Sequence, residues 1–112
     1  MKISSLKHLQ FEKNTHNPKI SKKVLIRNGQ VKNLTNFTQA VFPAGEVASE
    51  HVHQDMAEIF FVEKGHGKIR INGKLLALNE GDCITVEPGD KHELINSSKK
   101  DLIFYYLGVL VS

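Results

Sequence analysis

The sequence predicts an all-β fold, a sandwich or barrel of short strands with little or no helix, and three observations carry that expectation. Turn-forming clusters recur at short intervals: Asn28-Gly29, Pro43-Ala44-Gly45, Gly65-His66-Gly67, Asn72-Gly73, Asn79-Glu80-Gly81-Asp82, Pro88-Gly89-Asp90 and Asn96 to Lys99. The stretches between them are short and rich in β-branched and apolar residues, the spacing of a sandwich or barrel. No window of a dozen residues sustains an apolar period of 3.6, and glycines or prolines break most helical candidates.

In chain order, the first twenty residues are polar, lysine-rich and weakly patterned, which fits an arm or an edge strand. Val24-Leu25-Ile26 and Phe37 to Phe42 read as the next strands, followed by the segment that carries His51 and His53 and by Ile59 to Val62. Lys68 to Ile71 leads into Asn72-Gly73, a pair that tolerates the two positive φ angles of a type I′ hairpin. Cys83 to Val86 and Leu102 to Leu110 complete the set. A chain of 112 residues buries roughly two-thirds of its unfolded surface, enough for one core. The expected division is an N-terminal arm or edge strand over 1–20 and one β-barrel domain over 21–112.

Charge is unevenly placed. Met1 to Ala44 holds eight basic residues against one acid, Glu12, whereas Gly45 to Ser112 holds seven bases against eleven acids. A basic first third raises the question of a nucleic-acid partner. Thirteen of the fifteen basic residues are lysine, however, and no aromatic residues alternate with them as stacking platforms. The expectation is therefore a solvated lysine-rich face, with no nucleic-acid and no membrane partner. Cys83 is alone, so an intramolecular disulfide scaffold is excluded, and the first residues lack the apolar run of a signal peptide. A cytoplasmic location is expected.

The chemistry gathers around histidine. In Ser49-Glu50-His51-Val52-His53 the two histidines are two residues apart, which in an extended strand puts both imidazoles on one face. Glu58 falls on the opposite face of a continuous strand, but Gln54 to Ala57 is long enough to turn into a hairpin that brings its carboxylate beside the pair. His92, just after Pro88-Gly89, is placed for a fourth ligand on a strand returning across a barrel.

These residues resemble the cupin family. Its first motif is matched by Gly45, His51, His53, Glu58 and Gly65 with every interval intact, and its second by Gly81, Gly89, His92 and Asn96. One position departs: Glu87 stands where the motif has proline, and the proline is next door at Pro88. The motifs span Gly45 to Asn96, with fifteen residues between Gly65 and Gly81, as in compact single-domain microbial cupins. The resemblance implies a small jelly-roll barrel, a double-stranded β-helix, in which His51, His53, Glu58 and His92 hold a metal with one or two coordination positions open. It also implies a homodimer paired through the sheets, with the N-terminal segment as the strand that crosses over. Three imidazoles and a carboxylate make a borderline donor set suited to a divalent transition metal, Fe, Mn, Ni, Cu, Co or Zn, and the lack of a thiolate cluster argues against structural zinc.

Strand parity puts Val47 and Ser49 on the inward face with His51, Phe60 and Val62 with Glu58, and Leu94 and Asn96 with His92. The expected cavity is apolar with one polar end, the usual make-up of a small-molecule site. Gln39, Tyr105 or Tyr106 are candidates to add hydrogen bonds there. His66 reads as a solvated loop residue, His8 and His16 as ordinary residues of the polar arm, and Cys83 as a small core residue rather than a nucleophile. Two functions fit: a metal-dependent enzyme of dioxygenase or isomerase type acting on a small organic molecule, or a non-catalytic module that binds a metal and a small ligand.

Overall fold

A computed structural model describes residues 1–111. Its strands are β1 (Glu12–Lys13), β2 (Ser21–Ile26), β3 (Leu34–Phe42), β4 (Val47–His51), β5 (Met56–Lys64), β6 (Gly67–Ile71), β7 (Lys74–Leu78), β8 (Cys83–Val86), β9 (His92–Ile95) and β10 (Leu102–Leu110). Among the described residues there is no helix, and hence none long and apolar enough to cross a membrane. The strands form two antiparallel sheets, one of six in the order β1-β2-β3-β10-β5-β8 and one of four in the order β4-β9-β6-β7. This is the all-β jelly roll that the sequence predicts.

Period-2 alternation explains which residues face inward. On β10, Leu102 and Phe104 are buried and Tyr106 packs against the core, while on β3 Thr38, Ala40 and Phe42 are buried opposite them. From the smaller sheet Ile69, Leu78 and Leu94 meet this layer. Each such fully buried aliphatic or aromatic side chain contributes about 1.5–3 kcal/mol. Ile20, just ahead of β2, belongs to the same core.

The Asn72-Gly73 turn forms as expected. Ile71 pairs with Lys74 across a two-residue loop whose φ values are 49° and 83°. The displaced proline is accommodated as well. Asp90 N–H donates to the Glu87 carbonyl at 3.0 Å, with Pro88 and Gly89 (φ 89°) at the central positions, the arrangement of a type II turn.

Two expectations are corrected. The residues between His53 and Glu58 do not make a hairpin, because β4 and β5 lie in different sheets. The chain crosses the barrel there, and Glu58 faces the histidines from the opposite wall. Cys83 is exposed rather than in the core. On β8, alternation turns Val86 inward and leaves Cys83 outside, opposite Phe61, which is itself exposed. The N-terminal segment contributes an edge strand: Glu12 pairs with Lys22 and Lys13 with Ser21.

Candidate metal centre

Three elements and one loop position the four polar residues. His51 ends β4 and pairs directly with His92, the first residue of β9. Two steps further along β9, Leu94 pairs with Ala48, so β4 spends three residues where β9 spends two. That β-bulge reverses the expected parity. Ala48 faces the cavity, while Val47 is 38% exposed and Ser49 lies outside. His53 lies beyond the strand end, on the loop into β5, and is held there because its carbonyl accepts the Gly89 N–H at 2.8 Å. The loop bearing His53 and the turn leading to His92 are thus tied together.

The His92 approach is braced from the neighbouring hairpin. Asn72 Nδ2 donates to Asp90 Oδ1 at 2.9 Å, and the Lys91 N–H donates to Asn72 Oδ1 at 2.9 Å. The Asp90 carbonyl lies 3.2 Å from His92 Nδ1, and the Ser49 carbonyl lies 2.9 Å from His51 Nδ1. A carbonyl can only accept, so in both rings Nδ1 is the nitrogen that donates. Nε2 is then the atom presented to the site, the usual way a ligating imidazole is oriented.

Glu58 closes the group. Its Oε1 lies 3.0 Å from His92 Nε2, 3.2 Å from His53 Nε2 and 3.9 Å from His51 Nε2. One donor atom from each of the four residues falls within 4.8 Å of the others. Metal–ligand bonds of about 2.1 Å set adjacent donors about 3 Å apart, so the two shorter separations are those of neighbouring ligands around one ion. Three nitrogens and one oxygen, with no thiolate nearby, fit a borderline divalent transition metal. The structure therefore brings together all four residues singled out in the sequence, as a group able to bind a metal.

The electrostatics differ between the rings. Burial pushes His51 below the ordinary imidazole value, outweighing the Ser49 carbonyl that opposes it. Burial also pulls on His92, but hydrogen bonds to Glu58 and to the Asp90 carbonyl outweigh it and leave His92 raised.

His51, His53 and Glu58 form the polar end of a cavity of about 210 Å³, with His92 buried beside them. Its walls are Ala40, Ala48, Phe60, Leu94, Phe104 and Tyr106. Burial pushes the Tyr106 phenol up, so it stays protonated and able to donate a hydrogen bond. Gln39 and Tyr105 bond to each other at 3.3 Å on the outer face and leave the cavity to Tyr106. Val62 and Asn96 face inward but are fully enclosed and do not line it. His66 is an exposed loop residue bonded to Asn79 at 3.1 Å, and His8 is exposed in the N-terminal segment.

His16 is not an ordinary arm residue. Its ring stacks on His51, with centroids 5.5 Å apart and planes 16° apart, and with Asn14, Thr15 and Lys22 it lines the cavity. Nothing local in the sequence announces His16. Lys22 could have been found by alternation, because it shares parity with the buried Val24.

The family model for the Cupin domain matches residues 38–108. The chain belongs to the cupin family. Among curated proteins, this cupin is similar to an oxalate-binding protein of Thermotoga maritima, 28% identical over 75 residues that cover 67% of this chain and 62% of that one. It is also similar to gentisate 1,2 dioxygenase 1 of Aquipseudomonas alcaligenes, 26% identical over 87 residues that cover 72% of this chain and 25% of that one. The chain thus matches less than two-thirds of either relative's length. Among solved structures, a predicted oxalate decarboxylase of Thermotoga maritima superposes with a TM-score of 0.88 at 22% identity, covering 99% of this chain and 100% of that one. That likeness is one of fold.

Proposed function

We propose that this cupin holds one divalent transition metal through His51, His53, Glu58 and His92 and is a metal-dependent enzyme, of dioxygenase or isomerase type, for a small organic acid. The observation that carries the reading is the convergence of three Nε2 atoms and one carboxylate oxygen beside a largely apolar cavity wall. A bound ion with open positions supplies Lewis acidity or oxygen activation. The chain's own residues do the rest. The Ser49 and Asp90 carbonyls fix the His51 and His92 rings, Glu58 offsets positive charge, and Phe60, Leu94 and Phe104 give the ligand an apolar wall. Tyr106 offers a phenolic proton on the cavity wall. An organic acid is supported by the relatives, since oxalate and gentisate are both carboxylates.

The oxalate-binding relative favours a second reading, a non-catalytic module that binds metal and acid without turnover. Elemental analysis of wild type and His51→Ala tests the site: undiminished metal in the variant would sink it. Oxygen uptake by Fe(II)-loaded protein across a panel of small organic acids and phenols, with isomerase assays alongside, separates the two functions. Silence across all of these selects the binding module.

We also propose a cytoplasmic homodimer formed through the outer face of the six-stranded sheet, where Phe37, Ile59, Phe61, Tyr105 and Leu107 form an apolar depression. A second copy can bury such a face against itself in an isologous contact. Sedimentation of Phe61→Glu as a monomer beside a dimeric wild type is the expected result; a monomeric wild type at tens of micromolar would overturn it.

A further inference from the structure

The cavity wall contributed by residues 14–22 lies outside the stretch matched by the family model. On β2, successive lysines face opposite ways. Lys23 points outward, where its Nζ donates to the Leu6 carbonyl at 2.7 Å and sits 4.6 Å from the centre of the Phe11 ring. Lys22 pairs with the buried Ala40 on β3, shares the inward face with Val24, and lines the cavity half-buried.

An inward lysine beside an apolar wall needs an anion or water for its ammonium. The carboxylates around it are already engaged. Glu12, directly across from it on β1, is paired with Arg27. Glu46 accepts from Asn17 Nδ2 at 3.0 Å and lies 3.9 Å from Lys19. Glu58 belongs to the histidine cluster. Among the described residues Lys22 has no carboxylate partner, and it is the one lysine or arginine lining this cavity. A divalent ion, one carboxylate and one ammonium leave the interior net positive, which suits a ligand that carries more than one negative charge.

We propose that Lys22 is a specificity-determining residue, pairing with the carboxylate of a dicarboxylic acid whose other end lies at the His51–His53–Glu58–His92 cluster. This rests on the metal-site reading given above. The segment Asn14–Ile20 builds the wall beside it. Asn17 Nδ2 also donates to the Val47 carbonyl at 3.1 Å, which pins the segment to β4, and His16 stacks over His51. Lys22 thereby lines the cavity beside the histidine cluster while remaining half-buried.

The test is calorimetric titration of metal-loaded wild type, Lys22→Gln and Lys22→Arg with malonate and with acetate, beside metal content by elemental analysis. A charge-assisted hydrogen bond predicts that Lys22→Gln weakens malonate about 10- to 100-fold. Acetate affinity and metal content should stay within about twofold, and Lys22→Arg should retain most of the malonate affinity. Equal losses for both acids, or no loss for either with metal content intact, would show a lysine that only reaches for solvent and would overturn the proposal. A wild type that takes up no metal overturns the site reading and this proposal together, and is told apart by the elemental analysis alone. If Lys22→Gln is unstable, Lys22→Met keeps the apolar stem and must show the same malonate-selective loss.

Discussion

Replacing Asn96 with alanine should cost fold stability rather than metal binding. Asn96 is fully buried, and its Nδ2 donates to the Phe42 carbonyl at 2.8 Å and to the Lys100 carbonyl at 2.9 Å. Its Oδ1 accepts from Ser98 N–H at 3.1 Å and from Ser98 Oγ at 2.7 Å. The side chain thus locks the loop before β10 onto the end of β3. Alanine strands the Phe42 carbonyl inside the core, which costs roughly 2 kcal/mol, whereas the groups on Ser98 and Lys100 can turn to water for roughly 1 kcal/mol more. For 112 residues the unfolding entropy is about 0.24 kcal/mol/K, so a loss of about 3 kcal/mol lowers Tm by roughly 13 °C. Thermal unfolding by circular dichroism reads the shift, and elemental analysis at low temperature should find wild-type metal content. A Tm lowered by less than about 4 °C, or metal lost with Tm intact, would refute the assignment of Asn96 to the fold.

Glu58→Gln keeps the shape but removes the charge that three Nε2 atoms face, so chelator competition should show metal affinity reduced by more than the 10- to 100-fold typical of an outer partner. His16→Ala removes a ring stack worth about 0.5–1.5 kcal/mol, so the same assay should show at most about a tenfold loss; a loss as large as that of Glu58→Gln would make His16 a ligand instead of a roof. Acidification should release the metal, because imidazole must be neutral to ligate and protons compete with the ion for the ring nitrogens. Equilibrium dialysis across pH 5–8 checks the sign: metal content must fall as pH falls, and a flat profile would argue against histidine ligation.

Local pattern revealed the strands wherever one face is buried and turns are chemically explicit. Cys83–Val86 and Leu102–Leu110 have the same bounds in the sequence reading and in the structure, and turn residues precede both. The four polar residues were legible because their spacing and residue types are set by one site. What stayed hidden depended on contacts distant in sequence. The bulge between Ala48 and His51 arises from pairing with β9, some forty residues away, so Val47 and Ser49 were given the wrong face. The link from His53 to Glu58 has the length of a hairpin, and only the two-sheet closure turns it into a crossing. Gln39 and Tyr105 were separated from Tyr106 only once the register of β10 with β3 was known.

The N-terminal segment was the least legible part of the chain, and the physics of the fold accounts for that. The barrel interior is built by alternation over long antiparallel strands, a pattern that reads directly from hydrophobicity. Residues 14–20 are instead placed by single polar contacts: Asn14 N–H to the Ile20 carbonyl at 2.9 Å, and Asn17 to Glu46 and to the Val47 carbonyl. No periodicity announces such contacts. Their effect, however, falls on the site, where they bring His16 over His51, beside Lys22, which strand alternation turns inward. The four metal-capable residues fit many chemistries and therefore say little about which ligand is taken. Ligand choice must then depend on groups beyond those four, and the positive charge among the cavity's lining residues, apart from histidine, comes from Lys22. From the lysine-rich flank, Lys22 thus supplies one inward cation to the cavity that the histidine cluster shares.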